Sequence, residues 1–175
     1  RGYAPGDIVI GGDSAGGSHA LGLLSHLCHQ GRPPAGVFLW SPITDLTFSG
    51  ESVKENSALD HLFPGDRVFD LHQHVLGDLP ADDPHVSPLF ADYPDCPPVF
   101  LQAAKTELLR DDAVRLADKL RAQGTKVTLE IWPDIPHAWH ILAGWLPEGE
   151  QAIRKTAGFI AETLSRPRAG RSGES

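Results

Sequence analysis

The chain has 175 residues, enough for one domain with a hydrophobic core, and its hydrophobic (41%) and charged (22%) fractions are ordinary for a soluble globular protein. With 15 basic and 23 acidic residues the net charge is −8, and no basic patch dominates, which argues against nucleic acid as a partner. The longest apolar runs are far too short to span a bilayer, so we expect no stable membrane insertion.

The two cysteines, Cys28 and Cys96, lie far apart in apolar surroundings, which predicts buried free thiols rather than a disulfide framework. The chain begins with Arg1 and contains no methionine, so we expect it to start inside a longer gene product, with any targeting segment upstream. With no targeting segment visible, the interpretation that remains is a cytoplasmic protein. Nothing in the sequence indicates an oligomeric state.

The first part of the chain alternates strand and helix. Residues 7–10 predict a short buried strand, and residues 15–29 predict a helix that ends at a Gly-Arg-Pro-Pro run. The apolar face of this helix is predicted to consist of Ala20, Leu23, Leu24 and Leu27. Residues 36–40 predict a second buried strand, closed by Ser41 and Pro42.

Residues 43–98 form a different kind of segment, rich in Pro, Gly, Asp and His. Only stretches such as residues 67–76 have helical character there. A long, weakly periodic insertion in a compact domain is usually functional or mobile, and we expect the same of this one. Residues 99–104 then return to strand character.

The last part of the chain predicts a helix, a strand and a second helix at residues 111–123, 127–132 and 148–164. The buried face of the first of these helices is predicted to be Ala113, Leu116, Ala117 and Leu120. The buried stripe of the second is predicted to be Ile153, Ala157, Ile160 and Leu164. Residues 166–175 are expected to form a disordered tail.

This order of elements predicts an α/β fold with a mostly parallel sheet and helices on both faces. Ligands of such sheets bind beyond the carboxyl ends of the strands. Ser14 follows the carboxyl end of the first predicted strand, so we expect it near a binding site.

The pentapeptide Gly12-Asp13-Ser14-Ala15-Gly16 fits G-x-S-x-G, the pattern of a nucleophile elbow. In such an elbow the serine lies in a strained strand-to-helix turn, and side chains at positions 12 and 16 are expected to collide with the neighbouring strand and helix. The amide of Ala15, at the helix N-terminus, points to where an oxyanion would form. Asp13 is interpreted as a structural hydrogen-bonding residue.

Several motifs together resemble the hormone-sensitive-lipase-like group of α/β-hydrolase esterases. They are GGDSAGG followed by an alanine- and leucine-rich helix, Ser41-Pro42 with Asp45-Leu46, residues 83–89, Pro97-Pro98, and residues 132–137. The resemblance spans residues 8–164. It implies that residues 1–165 are the C-terminal part of a single α/β-hydrolase catalytic domain, and that the N-terminal strands, the cap and a second oxyanion-hole donor lie outside this chain.

The resemblance also implies a triad in the chain order serine, acid, histidine, with Ser14 as nucleophile and His137 as base. His140 is the local rival of His137, but its position looks helical. His19, His26 and His29 lie on or just after the first predicted helix and are expected at its surface or its end. A metal site would need more ligands than His72 and His74 in the insertion, so no metal or cofactor is expected.

The acid of the triad is assigned to Glu107, in the run Glu107-Leu108-Leu109-Arg110-Asp111, where the family usually has an aspartate. The fold admits either residue in this role. Asp111 and Asp112 are interpreted instead as the N-cap and first-turn acids of the helix that begins there. Trp139 and Trp145 are weak candidates for a substrate pocket, with core packing as the alternative.

These residues predict a carboxylic-ester hydrolase that acts on small-molecule esters through an acyl-enzyme intermediate. Because several strands and one oxyanion donor are expected upstream, we expect the chain to be inactive by itself. A non-catalytic, receptor-like binding protein on the same fold is an alternative, as is an amidase or transacylase that uses the same triad.

Overall fold

The computed structural model describes residues 2–63, 65 and 76–165. Four strands, β1 (Val9–Asp13), β2 (Gly36–Trp40), β3 (Val99–Ala104) and β4 (Val127–Trp132), form one sheet. The strands run parallel in the order β1-β2-β3-β4, with β1 at one edge of the described sheet. The predicted parallel α/β architecture is confirmed.

The helices among the described residues are α1 (Ala15–His29), α2 (Ser52–Glu55), α3 (Arg110–Ala122) and α4 (Pro147–Ser165). Short 3-10 turns lie at Pro5–Asp7, Pro88–Phe90 and Trp139–Leu142. Because adjacent residues of a strand point to opposite faces of a sheet, Phe100 and Leu101 of β3 identify the two layers. Leu101 belongs to the core shared with α1 and α3, whereas Phe100 stacks on Phe159 of α4. Helices therefore cover both faces, as predicted.

The bounds of β2, β3, β4 and α1 agree with the prediction, but β1 lies further along the chain than predicted. Asp7 belongs to a 3-10 turn, where its carboxylate accepts a hydrogen bond from the Ala4 N–H (2.9 Å). The strand continues through the glycines to Asp13, opposite Trp40. A side chain at Gly11 would overlap the Phe38 ring, so glycine permits a close approach here and does not end the strand.

The predicted buried face is confirmed for α3 and wrong in part for α1. All four predicted residues of α3 are fully buried. On α1 the buried residues are Gly17, Ala20, Leu21, Leu24 and Cys28. Leu23 is 47% exposed and Leu27 is half-buried, because both lie to the side of the row that contacts the sheet.

The buried stripe predicted for α4 is wrong in part. The buried residues are Gly149, Ala152, Thr156 and Thr163, whereas the predicted Ile153 and Ile160 are half-buried and Ala157 and Leu164 are exposed. Hydrogen bonds explain why the face with Thr156, and not the predicted face, packs against the sheet. The Thr156 hydroxyl accepts a hydrogen bond from Trp40 Nε1 (3.0 Å) and lies 3.2 Å from Gln102 Oε1. Hydropathy periodicity does not detect a threonine that is buried by hydrogen bonding.

The described part of the segment 43–98 is packed against the rest of the protein. Its apolar residues join a second core cluster, whose buried members are Ile43, Leu46, Phe48, Leu76, Leu108 and Leu109. The segment is also held by Asp112, whose Oδ2 accepts hydrogen bonds from the N–H groups of Thr44 (2.6 Å) and Asp45 (2.9 Å). Apart from Leu76, the helix predicted at 67–76 lies outside the described residues, as does the tail predicted at 166–175.

Both cysteines are free in the structure; Cys28 is buried and Cys96 is half-buried. Among the described helices, none combines the length and the apolar character that crossing a membrane requires.

Candidate active site

The turn between β1 and α1 holds Ser14 in a strained conformation, with φ 53° and ψ −118°. Such a conformation costs a non-glycine residue about 1–3 kcal/mol and persists only where neighbouring groups hold it. The Ser14 N–H donates to the Trp40 carbonyl (2.9 Å), and the Ser14 carbonyl accepts from the N–H groups of Gly17 (3.0 Å) and Ile43 (3.1 Å). The hydroxyl is thereby presented at the carboxyl end of the sheet.

The glycines around Ser14 contribute unequally to this turn. A side chain at Gly12 would overlap the carbonyl oxygen of Gly16, as expected for the elbow. A Cβ atom at Gly16 would meet nothing within 4 Å, so the collision predicted there is wrong. The close approach lies one residue later, because a Cβ atom at Gly17 would be 2.7 Å from the Pro42 Cβ.

A continuous hydrogen-bonded chain links three residues that are distant in sequence. His137 Nε2 lies 3.1 Å from Ser14 Oγ, and His137 Nδ1 lies 2.8 Å from Glu107 Oε2. Because a carboxylate only accepts, Nδ1 carries the proton that it donates to Glu107, and Nε2 is free to accept from the serine hydroxyl. The other oxygen of Glu107 accepts from the Ala104 N–H (3.1 Å). This arrangement can transfer a proton from Ser14 to His137.

Burial and neighbouring charges shift the pKa values of Glu107 and His137. Glu107 is fully buried, and burial raises the pKa of its carboxyl group, against the opposing effect of its hydrogen bonds. Burial favours the neutral form of His137, but the hydrogen bond and charge of Glu107 outweigh it, so the pKa of His137 is raised. Asp60 and Asp13 act in the same direction.

Comparison with known proteins identifies the family. A family model described as the α/β hydrolase fold matches residues 1–141, well over half of the chain. The chain belongs to this family.

The relatives of this member of the α/β hydrolase family include proteins named as an esterase and as an acetyl-hydrolase. It is 35% identical over 161 residues to an esterase of Acinetobacter venetianus, covering 91% of this chain and 53% of that protein. It is 34% identical over 161 residues to an acetyl-hydrolase of Streptomyces hygroscopicus, covering 91% and 54%. A solved structure of an esterase from the bacterial hormone-sensitive lipase family superposes with a TM-score of 0.90 at 38% identity, covering 94% of this chain and 56% of that one. The α/β hydrolase chain thus spans about half the length of these relatives.

Among the histidines that the structure describes, His137 is the one with a ring nitrogen within hydrogen-bonding distance of Ser14 Oγ. His140 is buried, and its Nε2 lies 3.0 Å from Gln102 Oε1. Burial, and secondarily the charge of His137, lowers the pKa of His140 to about 3, so its ring stays neutral. The three histidines of α1, which are His19, His26 and His29, are exposed, as expected. His72 and His74 lie outside the described residues, among which no cluster of metal-ligating side chains was found.

The two acids that rival Glu107 serve helix α3 and its neighbours. The helix begins at Arg110, so its N-cap is Leu109 and the expected N-cap role of Asp111 is wrong; Asp111 and Asp112 are first-turn acids. Asp111 accepts from the Ser52 N–H (2.9 Å) and pairs with Arg110. Asp112 is fully buried, and burial raises its pKa to about 7. Sequence reasoning identified Asp112 as a first-turn acid but missed that its carboxylate is buried, because no local pattern reveals that burial.

The remaining predicted site residues occupy different environments. Ala15 is the first residue of α1, where its N–H belongs to the free amides of a helix N-terminus. Asp13 ends β1, and its buried Oδ1 has no hydrogen-bond partner among the described residues, so the structural bond expected of it is not found at this atom. Trp139 is fully buried against Trp132, so it is a core-packing residue, the alternative to a pocket residue. Trp145 is 93% exposed.

Two cavities lie beside the hydrogen-bonded residues, one next to the elbow at Ala15 and one next to His137. One, of about 580 Å³, opens beside the elbow and is mostly apolar; it is lined by Ala15, Ser18, His19, Gly22, Leu23, Ile43, Leu46, His85 and Val86. The other, of about 460 Å³, lies beside His137 and is lined by Leu59, Asp60, His61, Thr106, Asp134, Ile135, Pro136 and His137. Neither Trp139 nor Trp145 lines them. Both cavities are large enough for part of a small organic ligand.

Proposed function

We propose that the protein is a serine carboxylic-ester hydrolase with Ser14 as nucleophile, His137 as general base and Glu107 as the acid that orients His137. The observation that supports it most strongly is the pair of hydrogen bonds at the two ring nitrogens of His137, 3.1 Å to Ser14 and 2.8 Å to Glu107. A serine hydroxyl is a weak nucleophile until a base removes its proton, and an oriented histidine supplies that base. The relatives that are named esterases point to the same chemistry.

In the proposed acylation step, His137 Nε2 takes the proton of Ser14 as Oγ bonds to the ester carbonyl carbon. The carbonyl oxygen becomes an oxyanion and receives the Ala15 N–H as a hydrogen-bond donor. Glu107 stabilises the imidazolium, which then donates its proton to the departing alcohol. Water repeats the sequence on the acyl-enzyme and releases the carboxylic acid and free Ser14.

The proposed substrate is a small ester whose apolar part occupies the cavity beside Ala15. The apolar residues Leu23, Ile43, Leu46 and Val86 are among those that line this cavity, so it favours a hydrocarbon group. The mechanism uses only side chains and backbone amides, and we propose no cofactor for it.

The pH dependence of ester hydrolysis tests this proposal. Because His137 must be neutral to accept the proton and its pKa is raised, its inactive protonated form persists to higher pH than for an ordinary histidine. In the full-length natural protein, kcat/KM for p-nitrophenyl acetate is expected to rise with pH, with a midpoint above about 6.5. A midpoint below that value, or no hydrolysis at any pH, would contradict the proposal.

The chain of residues 1–175 expressed alone is expected to hydrolyse p-nitrophenyl acetate no faster than its Ser14→Ala variant and to be poorly soluble. In the described residues β1 lies at the edge of the sheet, Ile8 is 46% exposed and Leu23 is 47% exposed. Exposed strand edges and apolar side chains promote aggregation. One oxyanion donor in place of two costs on the order of 100- to 1000-fold in rate.

Extending the chain at its N-terminus to the length of its relatives is expected to restore turnover. The measurement compares initial rates and the elution volume of both forms in size-exclusion chromatography. A monomeric 175-residue chain with Ser14-dependent activity would show that this expectation is wrong.

A further inference from the structure

Residues 105–108, which follow β3 and include Glu107, form a turn that we call the acid turn. Its own backbone hydrogen bonds at Glu107 are long. The Glu107 N–H lies 3.5 Å from the Ala104 carbonyl oxygen, and the Arg110 N–H lies 3.4 Å from the Glu107 carbonyl oxygen. A strong N–H···O bond measures about 2.7–3.2 Å. The backbone by itself therefore holds the acid turn weakly, and its position depends on other contacts.

Those contacts come from α2 and the residues that follow it, in the segment 43–98. The Ser52 hydroxyl donates to the Leu108 carbonyl (2.6 Å), and Asp60 Oδ2 accepts from the Leu108 N–H (3.0 Å). Both backbone groups of the residue after Glu107 are thus bonded to buried side chains of this segment.

Asn56, the residue that follows α2, bonds to the backbone of Glu107 itself. It is 4% exposed, and its Nδ2 donates to the carbonyls of Glu107 (2.8 Å) and Lys105 (3.0 Å). An amide nitrogen has two protons to donate, and here each proton has one carbonyl acceptor. A buried amide is costly unless it is bonded in this way. Asn56 therefore holds the acid turn on both sides of Thr106.

The acid turn and the segment 43–98 also contact the surroundings of His137. The Thr106 hydroxyl donates to the carbonyl of Ile135, two residues before His137 (3.1 Å). Asp60 Oδ1 accepts from the Phe63 N–H (2.9 Å), and the Phe63 ring stacks on the His137 ring with a centroid distance of 6.0 Å. The acid and the histidine are therefore aligned by contacts that begin in the same segment.

We propose that Asn56 is a positioning residue of the triad, which holds the acid turn so that the Glu107 carboxylate meets His137 Nδ1 in the geometry that proton transfer requires. The inference rests on the proposed function, since positioning matters only if Ser14 and His137 react. Asn56 contacts neither Ser14 nor His137 in the described hydrogen bonds, so its effect passes through the backbone of Glu107.

Loss of the Asn56 amide leaves two carbonyls without their short hydrogen bonds and allows the acid turn to move. A displaced Glu107 carboxylate stabilises the imidazolium less well, so kcat falls. The pKa of His137 falls as well, because the hydrogen bond and charge of Glu107 raise it. The other titratable groups that interact electrostatically with His137 are not substituted, and these are Asp60, Asp13 and the neutral His140.

The test uses Asn56→Leu and Asn56→Ala in the full-length natural protein. Leucine has nearly the size and branching of asparagine, so it fills the site without the two donors, whereas alanine also removes the bulk. Ser52 and Asp60 still hold Leu108 in both variants, so the fold is expected to survive. Both are expected to lower kcat for p-nitrophenyl acetate about 10- to 100-fold, the effect of a misplaced catalytic group, with KM unchanged. The NMR titration midpoint of His137 is expected to move downward in both.

Tyr93→Phe is the matched control. Tyr93 is 2% exposed, and its hydroxyl donates to the Pro88 carbonyl (2.7 Å). The substitution keeps the shape of the side chain and, as in Asn56→Leu, removes a buried donor from a backbone carbonyl. It is expected to lose thermal stability with kcat and the His137 midpoint unchanged, because this bond lies outside the triad.

The inference is overturned if the His137 midpoint in the Asn56 variants stays the same or rises, or if kcat falls no more than in Tyr93→Phe. Failure of the proposed function has a different signature. If the wild-type protein neither hydrolyses esters nor reacts with a fluorophosphonate, the function is wrong, and the NMR titration alone decides whether Asn56 aligns Glu107 with His137.

Discussion

Replacement of Ser14 with alanine in the full-length natural protein is expected to lower kcat for ester hydrolysis by about a million-fold, the loss seen when the nucleophile of a serine triad is removed. His137 would retain its bond to Glu107 but would have no hydroxyl to deprotonate. The fold is expected to survive, since alanine at φ 53° keeps the backbone bonds that hold the turn. Initial rates with p-nitrophenyl acetate measure the effect.

A fluorophosphonate probe provides an independent readout of the same substitution. It is expected to label Ser14 in the wild-type protein, as identified by mass spectrometry of the labelled peptide, and to leave Ser14→Ala unlabelled. Ser25→Ala is the control, because Ser25 lies on the same helix and donates its hydroxyl to the Asp92 carbonyl, away from the site. Labelling that persists in Ser14→Ala would remove Ser14 as the nucleophile. A receptor-like protein, by contrast, would bind esters without turnover.

Replacement of Glu107 with glutamine is expected to lower kcat by about ten-thousand-fold, the effect of the corresponding acid-to-amide change in a serine protease triad. Glutamine has nearly the shape of glutamate, so the buried site stays filled, but it lacks the charge that stabilises the imidazolium. It can also donate a hydrogen bond to Nδ1, which favours the wrong tautomer of His137. The pH midpoint of kcat/KM is expected to fall, because the charge of Glu107 raises the pKa of His137.

Asp111→Asn, four residues further along, is the matched control. Asp111 accepts from the Ser52 N–H and pairs with Arg110, so its substitution is expected to cost about 1 kcal/mol of stability and little activity. Stability is measured by chemical denaturation and activity by initial rates. If Asp111→Asn loses activity and Glu107→Gln does not, the acid has been assigned four residues too early.

Local sequence was sufficient to predict much of the fold. The bounds of β2, β3 and β4 follow from short apolar runs between turn residues, and those of α1 follow from apolar residues at helical spacing that end at a Gly-Arg-Pro-Pro run. These features act over a few residues. The position of Ser14 between a strand and a helix is local for the same reason, since Gly12 is required by the Gly16 carbonyl of the same turn. The requirement for Gly17 is not local, because it comes from Pro42, which the fold brings against the turn.

Periodicity failed where a buried position is polar or where an exposed one is apolar. The α4 prediction counted Ala157 and Leu164 as buried, although Thr156 faces the sheet through hydrogen bonds to Trp40 and Gln102. The α1 prediction included Leu23, which borders a cavity. Hydropathy measures the side chain alone and carries no information on the partner that satisfies a buried hydroxyl.

The sequence by itself determined the parallel α/β order, the elbow around Ser14 and a short set of candidate acids and histidines. Only the tertiary structure decided which of them meet. It brings Glu107 rather than Asp111 within hydrogen-bonding distance of His137, buries His140 against Gln102, and joins the Ser41 hydroxyl to the Ala138 N–H. These contacts join residues between 30 and 123 positions apart along the chain, for example His137 with Glu107 and with Ser14. Local propensity acts over a few residues, whereas these contacts arise only when the strands are aligned in one sheet.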